Sequence, residues 1–145
     1  MSTKQTLFTN LKGIVADASG YTSLTHAINL EKNKFSSGGR YAVRPLGSTE
    51  VEGSTKRVTH DHRFSIVLIN SYITDNLNDD SIIDKQLELD EKFEDIYRQC
   101  MNTKVGAPDT VMTITNLDIS DPVIVSEEKL VVIEGTLIVR AKFNL

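Results

Sequence analysis

The sequence predicts a single α+β domain over residues 1–145: a mainly antiparallel β-sheet packed with two main α-helices and closed by a long C-terminal strand. Three observations lead there. Residues 129–143 alternate with period two, the signature of a strand. The stretches 4–18 and 82–103 carry apolar residues at helical spacing. The remaining strand-like runs follow one another across short turns, which favours antiparallel pairing with the helices on one side.

In the first helix Leu7, Leu11, Ile14, Val15 and Ala18 share a face, and Ser19-Gly20 ends it with glycine placed as a C-cap. Residues 21–32 lack clear periodicity and read as loop or short helix. Ser36-Ser37-Gly38-Gly39 is a turn or loop. Tyr41, Val43 and then Pro45 predict a short strand near an edge, because proline cannot donate to a ladder. Residues 47–53 read as a polar loop carrying Glu50 and Glu52. Residues 58–72 form the first long strand; Phe64 to Ile69 leave apolar side chains on both faces, which places it centrally.

An Asx-rich turn at 75–80 leads to Ser81 as N-cap, with Asp84 at capping-box spacing. The second helix buries Leu89, Phe93, Ile96, Tyr97 and Cys100. Its outer face holds Asp84, Glu88, Asp90, Glu91, Glu94 and Asp95 against Lys85, Lys92 and Arg98. Gly106 and Pro108 mark its exit. A strand at 110–115 and an extended edge stretch at 119–125, interrupted by Pro122, precede the last strand. There Val131, Ile133, Leu137, Val139, Ala141 and Phe143 share one face. Glu134, Thr136, Arg140 and Lys142 share the other with Leu130, Val132 and Ile138.

At 145 residues the chain is long enough to bury one core, about two-thirds of its unfolded surface. No run of about 18 apolar residues exists for a membrane helix, and no apolar leader follows the N-terminus, so the chain is expected to stay where it is made. The single Cys100 excludes an internal disulfide and fits a reducing compartment. The net charge of −4 is unevenly spread. Residues 1–74 hold nine Lys/Arg against five Asp/Glu; residues 75–145 hold seven against fifteen. This is either two differently solvated surfaces or a self-complementary subunit whose positive face meets a negative face of the next copy.

Little in the chain points to catalysis. His60 and His62 share a strand face and could reach one metal, but no third ligand is nominated, and His26 is the only other histidine. Cys100 lies on an apolar stripe, where a free thiol is a small hydrophobe. Paired carboxylates such as Glu88 with Glu91, or Glu94 and Asp95, fit a solvated helix face. No phosphate-binding glycine motif occurs. Arg40, Arg44, Lys56, Arg57 and Arg63 form a modest basic cluster near Phe35 and Tyr41, set against Glu50, Glu52 and an acidic total. No metal, cofactor or catalytic group is therefore expected.

The layout resembles the tail terminator (tail-completion, or tail-to-head joining) proteins of long-tailed bacteriophages. An amphipathic helix from Leu7 to Ala18 comes first, then a β-region with a polar loop from Tyr41 to Arg57. An aliphatic strand, Phe64-Ser65-Ile66-Val67-Leu68-Ile69-Asn70-Ser71-Tyr72, runs into an Asx-rich turn. A helix ending near Ile96-Tyr97-Arg98 and a long last strand complete it. The resemblance implies a structural virion subunit in the tail or neck, assembled in the host cytoplasm. It would form a ring, a hexamer in that family, that caps the tail tube, stops its polymerisation and offers a docking surface for the neck or head. The implied partners are further copies of the chain, the tail tube protein and a neck or head-completion protein, with no membrane and no specific nucleic acid. The expected interface residues are Arg40, Arg44, Glu50, Glu52, Lys56, Arg57, Glu88, Glu91, Glu94, Asp95, Arg140 and Lys142. Basic residues of 40–63 would meet the acidic helix around 88–95 on a neighbour. Alternatives are another neck or head-completion connector, a small nucleic-acid- or protein-binding module, or a metal-dependent enzyme using His60 and His62.

Overall fold

The computed structural model describes residues 3–25, 38–53, 57–72, 80–103 and 111–144. Its elements in order are α1 (Thr3–Ser19), β1 (Thr22–Ser23), β2 (Arg40–Gly53), β3 (Arg57–Ser71), α2 (Asp80–Thr103), β4 (Val111–Ile119), β5 (Val123–Val125) and β6 (Leu130–Asn144). The strands form one six-stranded sheet in the order β1-β2-β3-β6-β4, with β5 also pairing β6. Every pairing is antiparallel except the two-residue contact of β1 with β2. This is the predicted α+β architecture with its long C-terminal strand.

The centre of the sheet is β3 against β6. Their register runs unbroken from Arg57↔Asn144 to Ser71↔Leu130. Alternation then assigns the faces. Phe64, Ile66 and Leu68 of β3 and Val131, Ile133, Leu137, Val139 and Ala141 of β6 enter the main core with Tyr41 and Val43 of β2. Both helices lie on this face: α1 supplies Leu7, Leu11 and Val15, and α2 supplies Leu89, Phe93, Ile96 and Cys100. Ala42, Val67, Ile69, Leu130 and Val132 face the other way, where they gather with Leu24 in a smaller cluster. No described helix lies over that second face, called the bare face for that reason alone: Ala42, Ser65, Val67, Ile69 and Leu130 are buried on it, and its exposed part lies around Arg63.

The C-terminal end of α1 follows the expected chemistry. Gly20 adopts φ 67° and its N–H donates to Ala16 O at 3.0 Å, a left-handed C-terminal cap. Ser19 Oγ donates to Val15 O at 2.6 Å and accepts from the Tyr21 N–H. At the other helix, α2 begins at Asp80, so Ser81 already lies inside its first turn and is not the cap. The proposed turn at 75–80 is otherwise outside the described residues, as are His26, Lys56, Gly106 and Pro108.

Three further expectations are corrected. Residues 22–23 form a short strand instead of loop or helix. The short strand at Tyr41 and Val43 is part of a 14-residue strand, and residues 47–53, expected as a polar loop, are its second half. They pair with β3 through Ser48↔His62, Thr49↔Asp61 and Glu50↔His60, across two irregularities in register. Those bulges break the period-two pattern, which is why the stretch did not read as strand. The edge position of Pro45 holds, since β1 reaches only Arg40 and Tyr41. Along the opposite edge, β4 and β5 follow one another beside β6, separated at Ser120–Pro122.

Candidate functional site

The charge split of the sequence is carried by α2 more than by the sheet. Strands β1 to β3 hold four Arg against three Asp/Glu, and β4 to β6 hold two Lys/Arg against two Asp/Glu. Over the helical face, α2 carries seven carboxylates against three cations. Over the bare face, the β3–β6 register places Arg57 and Arg63 beside Arg140 and Lys142. Arg63 is exposed. Asp61 answers one of these cations. Arg140 donates to it from Nε at 2.9 Å and from Nη2 at 3.1 Å, a bidentate pair. Those hydrogen bonds hold the Asp61 carboxyl below the usual carboxylate range.

Several residues expected at an interface are bound within the chain. Arg44 Nη2 lies 3.2 Å from Glu134 Oε1 and 3.3 Å from Ser65 Oγ, and Ser65 Oγ donates to the same carboxylate at 2.7 Å. Ser65 is fully buried, so this network fixes β2, β3 and β6 on the bare face. Glu88 is likewise bonded within the chain, with its side chain still 40% exposed. Its Oε1 accepts from Asn70 Nδ2 at 3.2 Å and from Tyr21 OH at 3.4 Å, and Lys85 lies 3.2 Å from Oε2. Burial, and then the charge of Glu88, push the Tyr21 phenol up to about 12. Arg40 Nη1 caps Gly39 O at 2.9 Å.

The outward-facing members are different. Glu91 and Glu94 are exposed. Glu94 and Asp95 share Arg98, at 3.9 and 3.1 Å, in open ion pairs. Such exposed pairs contribute little to folding. Glu50 is exposed on β2, Glu52 and Arg57 are placed by their backbone, and Lys56 falls outside the described residues.

Two features went unread in the sequence. Ile83, Leu87 and Met101 are 48%, 59% and 49% exposed on α2. With Asp90, Glu94 and Tyr97 they recur in steps of four and three residues, a second ridge beside the core stripe. Its heptad spacing was visible, but the two carboxylates in its middle hid it as a charged face. The ridge also borders a groove of about 440 Å³ between α2 and β4, lined by Asp90, Phe93, Glu94, Tyr97, Leu117 and Ile119. Burial there raises the Asp90 carboxyl above its ordinary value.

The histidines and the thiol sit apart from these surfaces. The His60 and His62 rings lie 5.7 Å apart, and His62 Nδ1 is 3.1 Å from Ser48 Oγ. No group of three His, Cys, Asp or Glu that could hold a metal occurs among the described residues. Cys100 is fully buried in the core, and burial pushes its thiol up to about 12. No described helix is long and apolar enough to cross a membrane. Comparison with protein-family models gives no match, and comparison with curated proteins gives none either.

Proposed function

We propose that this chain is a structural virion protein, a tail terminator subunit of a long-tailed phage. In this reading copies form a closed ring, a hexamer, on the last ring of the tail tube. The ring stops tube polymerisation and offers its outer surface to a neck or head-completion protein. The observation that carries the reading is the placement of charge: α2 holds seven carboxylates against three cations on the helical side of the sheet, while the β3–β6 register puts Arg57, Arg63, Arg140 and Lys142 on its other face. A subunit with opposite charges on opposite sides suits head-to-tail association, and a heterologous contact closes into a ring when its rotation allows. The layout resemblance supplies the tail tube as the object that is capped. The same features also fit a neighbouring neck or head-completion connector.

Electron microscopy of the full chain mixed with tail tubes tests this. Rings, or density at one end of each tube, are expected. Bare tube ends and no rings would remove the reading.

A second reading, a small nucleic-acid-binding module, is favoured by one observation: Arg57, Arg63, Arg140 and Lys142 share the bare face. Asp61 neutralises part of that patch. Binding to DNA or RNA that weakens steeply with salt would support this module; no retention at low salt would exclude it.

A further inference from the structure

We propose that the acidic ridge of α2 in one copy seats on the bare sheet face of the next copy. This rests on the ring reading above and names the two surfaces that the ring would use. The ridge offers apolar ends, Ile83 and Leu87 at one and Met101 at the other, with Asp90 and Glu94 between them. Exposed apolar side chains in line on one helix seam are a form in which a helix presents itself to a partner. The receiving face has the complementary composition. Val132 and Ile138 on β6 are half-buried, and beyond them lie exposed Arg63 and the Arg140 pair.

Charge selects this pairing over the symmetric ones. Two ridges packed about a two-fold axis would set Asp90 and Glu94 against their own copies. Two bare faces packed together would set Arg63 against its own copy, with Arg140 and Arg44 already answered by Asp61 and Glu134. Ridge against bare face instead brings the carboxylates of α2 to a face whose positions hold more cations than carboxylates. The ridge belongs to the helical layer and the basic patch to the opposite side of the sheet. They point away from each other through the thickness of the subunit. One copy therefore cannot satisfy its own ridge, and each contact leaves a free ridge and a free face, so the contact repeats from copy to copy.

A charge exchange tests the contact. One variant reverses the ridge with Glu94→Lys on the seam and Glu91→Lys on the exposed flank beside it; the other reverses the face with Arg63→Glu and Lys142→Glu. Circular dichroism and thermal melting establish that each still folds. Sedimentation across a concentration series then reads association. The parent is expected to associate, and each variant alone at least tenfold more weakly, because its ridge and face now carry the same sign. A 1:1 mixture of the variants is expected to regain parent-like association, since each ridge then meets an opposite face. If either variant alone assembles like the parent, or the mixture stays monomeric, the ridge-to-face contact is overturned while the ring reading stands. If the parent neither associates in solution nor rings tube ends, both fall.

Discussion

Gly135 in β6 lies directly beneath Phe93 of α2, and a Cβ at Gly135 would come 2.8 Å from the Phe93 ring and 3.0 Å from Leu117 Cδ1. The helix, the central strand and the edge strand β4 meet at this point because the glycine has no side chain. Gly135→Val is therefore expected to destabilise the fold by about 1–3 kcal/mol, the usual cost of overpacking a core. Urea denaturation would read this as a lower midpoint with an unchanged slope. A midpoint equal to that of the parent would show that α2 does not sit where the structure puts it. The groove between α2 and β4 should change with it, since Phe93 and Leu117 line both.

The pH dependence of stability should carry the mark of His62. Its ring is nearly buried, its Nε2 has no hydrogen-bond partner among the described residues and its Nδ1 lies beside Ser48 Oγ. Burial is the main reason that its pKa falls below the ordinary 6.5; His60 and Lys4 add repulsion, and Asp61 opposes them. A depressed pKa means that the unfolded chain takes up the proton first as pH falls. Stability from this group is then full above about 6.5 and is lost as pH drops through that value towards the lower folded one. Melting temperatures measured from pH 8 to pH 5 should decline over that interval, and His62→Gln should flatten the decline. Asp61, held low by Arg140, adds a separate loss only below its ordinary 3.8.

How much of this was legible in the residues depended on periodicity. The strands β3 and β6 declared themselves because an unbroken ladder preserves alternation over its whole length. Both helices showed their core stripes, as Leu7, Leu11 and Val15 or Leu89, Phe93, Ile96 and Cys100. The outer half of β2 did not, because Thr49 and Glu50 lie on an edge strand with bulges on either side of them. Pairing with β3, and not local preference, makes that stretch a strand. The charge imbalance was countable, but its geometry was not: the bare-face patch exists only because the register sets Asp61 opposite Arg140 and Thr59 opposite Lys142. Arg44 and Glu88 read as outward-facing charges, yet both hydrogen-bond within the chain to the buried Ser65 and Asn70, which are distant in sequence.

Cys100 should be inert in the folded protein. It is fully buried on the inner stripe of α2, and its thiol is pushed up to about 12 by that burial. A thiolate is the reactive species, so almost none is available at neutral pH. A disulfide reagent such as Ellman's should label no thiol in native buffer within minutes and one per chain in 6 M guanidinium, about one equivalent by the single cysteine. Rapid native labelling would show that the α2 stripe opens readily, and would reopen a chemical role for this residue.

Leu87 offers a way to separate folding from assembly. It is 59% exposed on the α2 ridge and lies outside the main core cluster. Replacing an exposed residue of this kind changes folding stability by no more than about 0.5 kcal/mol. If the ridge seats on a neighbouring sheet, however, the same side chain is buried in the assembled state, where losing it is costly. Leu87→Ser is therefore expected to melt within a few degrees of the parent, yet to associate about tenfold more weakly. That factor corresponds to about 1.4 kcal/mol, a little less than full burial of a leucine contributes. Association should also weaken as salt is raised in the parent, because carboxylate and guanidinium groups meet at the same contact. Equal loss of stability and of association in Leu87→Ser would instead place the residue in the fold and not in the interface.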